Sequence, residues 1–229
     1  MQVLFILGMH RSGTSALARC LREMGVSFSL PSIEDGFWEK HIEYYGVNQL
    51  NEKIMGSWKD PVMPSNFFKK HLMHFKARRF INNTVPRDKL VGIKDPRMLL
   101  TIDYWTPYVD NFNIIGIFRR PEEIASSLSI RDEYGKASFE QGLNLWKEYN
   151  EGLLAIHEQH GFPILDYNQA KAEFGQNLGK VCEQLDLPFD AAVFDEVFTE
   201  KQRHHHSENI PDEHLEVYEK LMAISQQIN

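Results

Sequence analysis

Eight residues near the start of the chain, Gly8-Met9-His10-Arg11-Ser12-Gly13-Thr14-Ser15, lie between an apolar run and a helical pattern. Strand, glycine-bounded loop and helix amino terminus together make a cradle for an anion, because the first N–H groups of the helix are free and its dipole is positive there. Gly8 and Gly13 have the spacing of a Walker A loop, but Thr14 stands where that loop has its lysine. Without the lysine, the main cation for a β/γ-phosphate is missing. Arg11 offers a guanidinium instead, which can donate two parallel hydrogen bonds to a sulfate or phosphate. The plain alternative is a tight turn whose Ser or Thr caps the helix. Two further strand ends carry charge. Ile114–Phe118 runs into Arg119-Arg120-Pro121-Glu122-Glu123, with Ser127 one turn beyond, and Leu90–Ile93 runs into Lys94-Asp95-Pro96-Arg97. Taken singly, each reads equally well as a surface ion pair or a proline-stopped turn.

Positioning these groups requires a particular set of elements. Apolar, β-branched runs at Val3–Leu7, Leu90–Ile93, Ile114–Phe118 and Pro163–Leu165 are near-continuous, as in strands buried on both faces. Helical spacing links Ala16, Leu17, Cys20, Leu21 and Met24, with Gly25 as a stop. Phe139, Leu143, Trp146 and Leu153 mark a long second helix, and 168–187 and the tail from Pro211 are helical as well. The alternation predicts a three-layer α/β fold, a mostly parallel sheet with helices on both faces, whose ligands lie at the carboxyl ends of the strands, and the glycine-bounded loop after the first strand makes it P-loop NTPase-like. Residues 1–229 form one domain, with about 31–86 as a helical lid or acceptor-binding insertion that contains no convincing strand. In that insertion Phe68, Leu72 and Phe75 read as a core-facing stripe, with Lys69, Lys70, Lys76, Arg78 and Arg79 on the solvated side, the alternative being contact with an anionic acceptor such as a polysaccharide, or with the nucleotide.

Composition narrows the function classes. With 229 residues, 42 % hydrophobic and a net charge of −7, the chain can bury a core and is not built for duplex nucleic acid. No apolar run approaches the roughly 20 residues of a membrane span, and the amino terminus lacks signal-peptide character. Cys20 and Cys182 suit a reducing compartment, so a cytoplasmic protein is expected. His71/His74 and His157/His160 have helical pair spacing without a third ligand, so no metal site is expected.

The loop Gly-Met-His-Arg-Ser-Gly-Thr-Ser resembles the 5′-phosphosulfate loop of sulfotransferases that use 3′-phosphoadenosine 5′-phosphosulfate (PAPS), closest to branches with Arg-Ser-Gly-Thr. The resemblance covers roughly residues 2–190. It implies that Arg11, Ser12, Gly13, Thr14 and Ser15 hold the 5′-phosphosulfate. Arg119 and Ser127 then correspond to the 3′-phosphate element, with Arg120 as the rival of Arg119. Lys94, in a Lys-Asp-Pro similar to the protein-tyrosine branch, would support the leaving group. Gly36-Phe37-Trp38-Glu39 is similar to a Gly-aromatic-Trp-Glu motif of bacterial members, which favours Glu39 as general base over His41, Glu34, Asp35 and Glu43. The implied acceptor is a hydroxyl, of a carbohydrate or small molecule rather than of protein. The Arg-Lys-Gly loop of the cytosolic branch is missing, and Arg203 beside His204-His205-His206 is the available replacement. Two other classes stay open: a small-molecule kinase or NTPase with a variant loop, and a non-catalytic nucleotide- or glycan-binding module.

Overall fold

The computed structural model describes residues 1–28, 42–130, 137–199 and 210–228. Four strands, β1 (Gln2–Leu7), β4 (Leu90–Lys94), β5 (Asn111–Phe118) and β6 (Ile164–Asp166), form a parallel sheet in the order β4-β1-β5-β6. All four expected strands are present. Side-chain alternation along β1 splits the core in two. Val3, Phe5 and Leu7 join one apolar cluster, and Leu4 and Ile6 join the other. This is the two-faced burial that the near-continuous apolar runs require.

One face is covered by α1 (Thr14–Glu23), α7 (Lys171–Gln184) and α8 (Ala191–Val197), through Leu17, Leu21, Phe174, Leu178 and Phe194. The other face carries α2 (Tyr45–Met55), α3 (Phe67–Thr84), α5 (Pro121–Ile130), α6 (Phe139–His160) and α9 (Asp212–Ser225). The short helix α4 (Met98–Thr101) follows β4. Helix α1 stops where Gly25 predicts. Gly25 has φ 106° and donates to Arg22 O, while Val26 donates to Leu21 O, a left-handed cap that satisfies two terminal carbonyls. Helix α6 starts in a capping box between Ser138 and Gln141. Gly142 then lets it lie against Ala125 of α5, where a Cβ would come within 2.7 Å of Ala125 Cα.

Two expectations for the insertion differ from the structure. A minimal antiparallel ladder, β2 (Gly56–Ser57) with β3 (Asp60–Pro61), follows α2 where no strand was foreseen. In α3 the core-facing row is Met73, Ala77 and Ile81, while Phe68, Leu72 and Phe75 are exposed. The helix carries two apolar rows on opposite sides, and only one of them can be buried. The row centred on Ala77 permits close packing on α2, where Phe80 lies against Gly46.

Candidate active site

Sheet register brings the charged strand ends to one edge. Lys94 pairs in register with Ile6, two residues before Gly8, and Leu7 pairs with Gly116, two residues before Phe118. The loop after β1, Lys94 after β4 and Arg119 after β5 therefore converge at the carboxyl end of the sheet.

The loop is built for a close approach of backbone to ligand. Arg11 (φ 72°) and Gly13 (φ 100°) are both left-handed. A Cβ on Gly13 would lie 2.4 Å from the Tyr167 ring, so only glycine fits there. Ser12 turns inward and donates from its hydroxyl to Met9 O at 2.7 Å. Gly13 stands at the N-cap of α1 with no side-chain cap, and while Ala16 N–H turns back to Gly13 O, the N–H groups of Thr14 and Ser15 have no partner among the described residues.

Two basic side chains frame that amino terminus. Arg11 donates from Nε to Ser127 Oγ at 2.9 Å, joining the two predicted halves of a nucleotide site across 116 positions of sequence. Lys94, 2 % exposed, donates from Nζ to Ser15 Oγ at 3.0 Å and to Glu43 Oε1 at 2.6 Å. The strand β4 thus places an ammonium beside the first turn of α1. Asn48 donates to the second Glu43 oxygen at 3.3 Å. Behind this pair, Asp95 accepts from the Arg97 backbone and guanidinium. Burial, reinforced by the Glu43 carboxylate, pushes the Asp95 carboxyl above its usual range.

Arg119 is held differently. Its Nε donates to Glu123 Oε2 at 2.5 Å, and Glu123 in turn accepts from Asn168 Nδ2 at 2.9 Å. The guanidinium lies over the Tyr167 ring, 5.7 Å from its centroid. Arg120, its rival, is half exposed on the side chain and lies 3.7 Å from Glu122. Glu39, His41, Glu34 and Asp35 fall outside the described residues, as do Arg203 and His204–His206. Glu43 is the one candidate base the structure describes, and it sits beside Lys94.

His10, Tyr167, Glu123 and Asn168 were given no role by the sequence. His10 is held well below the usual imidazole range by burial and by Arg97, Lys94 and Arg11, so it is neutral. Its ring packs on Trp58 at 4.6 Å, and its Nε2 is buried without a hydrogen-bond partner among the described residues. Trp58 and Arg97 border a cavity of about 550 Å³ that also meets Gln49, Glu52 and Lys53. The only advance signal for His10 was its place in the glycine-bounded loop. The paired histidines, by contrast, have local partners: His71 packs on Phe67, His74 stacks on Tyr104, and His157 contacts Phe162 O. Among the described residues no group of His, Cys, Asp and Glu could hold a metal, and no helix is long and apolar enough to cross a membrane.

None of the curated proteins matches the chain. Among solved structures it is similar to the sulfotransferase domain from the Synechococcus PCC 7002 olefin synthase, with a TM-score of 0.57 and 14 % identity, covering 97 % of this chain and 94 % of that one. That likeness is one of fold. The model of the sulfotransferase family matches residues 3–191, from β1 to the start of α8. With that match spanning most of the sheet and its charged edge, the chain belongs to the sulfotransferase family.

Proposed function

We propose that the protein transfers the sulfuryl group of PAPS to an acceptor hydroxyl on a carbohydrate or small molecule, releasing adenosine 3′,5′-bisphosphate (PAP). The observation that carries this reading is the uncapped amino terminus of α1 flanked by Arg11 and Lys94, in a loop without the Walker lysine. Such a site suits one oxyanion held by backbone N–H groups and two cations. When bound, PAPS supplies a sulfuryl group already activated by its anhydride link to phosphate.

The residues of this chain then have separable tasks. Arg11, Ser12, Gly13, Thr14 and Ser15 hold the 5′-phosphosulfate in a fixed orientation. Arg119 and Ser127 hold the 3′-phosphate, with Glu123 and Asn168 keeping the Arg119 guanidinium aimed. Lys94 directs its ammonium at the oxygen that gains charge as the bond to sulfur breaks. No metal is required by this chemistry, because the sulfuryl group carries less negative charge than a phosphoryl group and the two basic side chains answer it. Glu39 was the expected base. Among the alternatives to it, Glu43 is the one that lies beside Lys94, at 2.6 Å, where the acceptor hydroxyl would meet both.

Thermal melting with PAP, and with ATP in the presence and absence of Mg²⁺, tests the cofactor class. A ligand at about a hundred times its dissociation constant adds roughly 2.7 kcal/mol, or about 5–11 °C for a chain of this size. The expected result is a shift with PAP. A shift with Mg-ATP and none with PAP overturns the reading in favour of a kinase or NTPase. PAP binding without sulfated product from a broad acceptor panel leaves only a binding module.

A further inference from the structure

Helix α3 presents an apolar face that no other described element covers and that has no part in the site described above. Phe68, Leu72 and Phe75 follow one another at i, i+4 and i+7, opposite the buried row of Met73, Ala77 and Ile81. Phe68 is 81 % exposed, Phe75 60 % and Phe67, at the helix start, 67 %. Aromatic rings held this far into water cost hydrophobic free energy unless something covers them. The charge around them is equally one-sided. Residues 61–86 include Lys69, Lys70, Lys76, Arg78 and Arg79 and no Asp or Glu, in a chain whose net charge is −7.

We infer that this face is a docking surface for an anionic phospholipid bilayer, on which the helix lies with its phenylalanines in the headgroup region. The pattern of Phe and Leu flanked by Lys and Arg is that of an interfacial helix. Charge complementarity selects the occupant. A second copy of the chain would bring the two cationic clusters together, which opposes self-association. A polyanion with no apolar layer would leave the rings in water. The surface is independent of the catalytic reading, so its test leaves that reading untouched.

The experiment is co-sedimentation of the full chain with vesicles of phosphatidylcholine alone and with 30 % phosphatidylglycerol, at low and at high salt. Binding is expected to the anionic vesicles alone and to weaken as salt rises. Replacing Lys76, Arg78 and Arg79 together by Gln should lower the partition coefficient on the order of a hundredfold, at about 1 kcal/mol per cation. Phe68→Ser with Phe75→Ser should weaken binding without changing the melting temperature, since both side chains are exposed. Absence of binding to either vesicle overturns the proposal, as does equal binding to both. Sedimentation equilibrium of the free chain is the companion measurement. A dimer that Phe68→Ser dissociates would make this face a self-association surface and overturn it as well.

Discussion

Glu43→Gln separates the two tasks proposed for the Lys94–Glu43 pair. The change keeps the side-chain shape and one oxygen acceptor for Lys94 Nζ, and removes the negative charge 2.6 Å away. Lys94 is 2 % exposed on its side chain and Glu43 14 %, so the lost negative charge is one that faced a buried ammonium, which keeps its bond to Ser15 Oγ. Breaking a buried pair by removing one partner costs about 3–5 kcal/mol. The retained amide oxygen and the partial exposure of Glu43 bring the expectation to about 2–3 kcal/mol, a fall in melting temperature of roughly 4–12 °C. Lys94→Met combined with Glu43→Gln removes both charges. It should recover at least half of that loss, because no uncompensated ion remains. As base, Glu43 should also contribute to turnover, so Glu43→Gln should lower kcat by about 10²–10⁴ while PAP affinity stays within about threefold. Calorimetric melts and titrations with PAP, together with single-turnover sulfation, measure the terms separately. An unchanged melting temperature for Glu43→Gln would refute the charge-compensation reasoning. Wild-type turnover in a destabilised variant would leave Glu43 a structural counter-ion and return the base to Glu39 or His41.

Other outcomes follow from the same geometry. Ser127→Ala removes the hydroxyl that accepts from Arg11 Nε, and should weaken PAP binding about tenfold in calorimetric titration, with little change in stability. Gly13→Ala must place a Cβ 2.4 Å from the Tyr167 ring at φ 100°, whereas Gly25→Ala meets open space at φ 106°. Gly25→Ala should therefore cost only about 1–2 kcal/mol of left-handed strain, and Gly13→Ala more than that along with PAP binding, as read from denaturant melts. His10 is held below its ordinary value by burial first and then by Arg97, Lys94 and Arg11. The unfolded chain thus binds more protons than the folded one below about pH 6.5, and stability falls as the solution is acidified through that window. His10→Phe keeps the ring against Trp58 and removes the titration. Its melting temperature should decline less than that of the wild type between pH 6.5 and 5, and parallel curves would count against the assignment.

Helix α3 shows where patterning alone misleads. Its sequence offers two apolar rows, and hydrophobic periodicity cannot tell which one meets the protein. The bulkier row, with Phe68 and Phe75, reads as the stronger core signal, yet the row of Met73, Ala77 and Ile81 is the buried one, on a helix whose Phe80 packs against Gly46 of α2. The ladder of β2 and β3 was invisible for a different reason. Two residues on each strand are too few to show any period.

The long strands, by contrast, could be read directly, because burial on both faces leaves an apolar run that needs no partner to be recognised. The glycine-bounded loop, the helix that follows it and its stop at Gly25 were legible for the same reason, since their conformations are decided within a few residues. Tertiary structure alone decided which distant side chains meet. Lys94 finds Glu43 across 51 positions and Arg11 finds Ser127 across 116, while Arg119 turns to its own helix and Glu123. Strand register and helix packing set the first two encounters, which no spacing encodes, whereas Arg119 and Glu123 are an i, i+4 pair that the chain itself brings together.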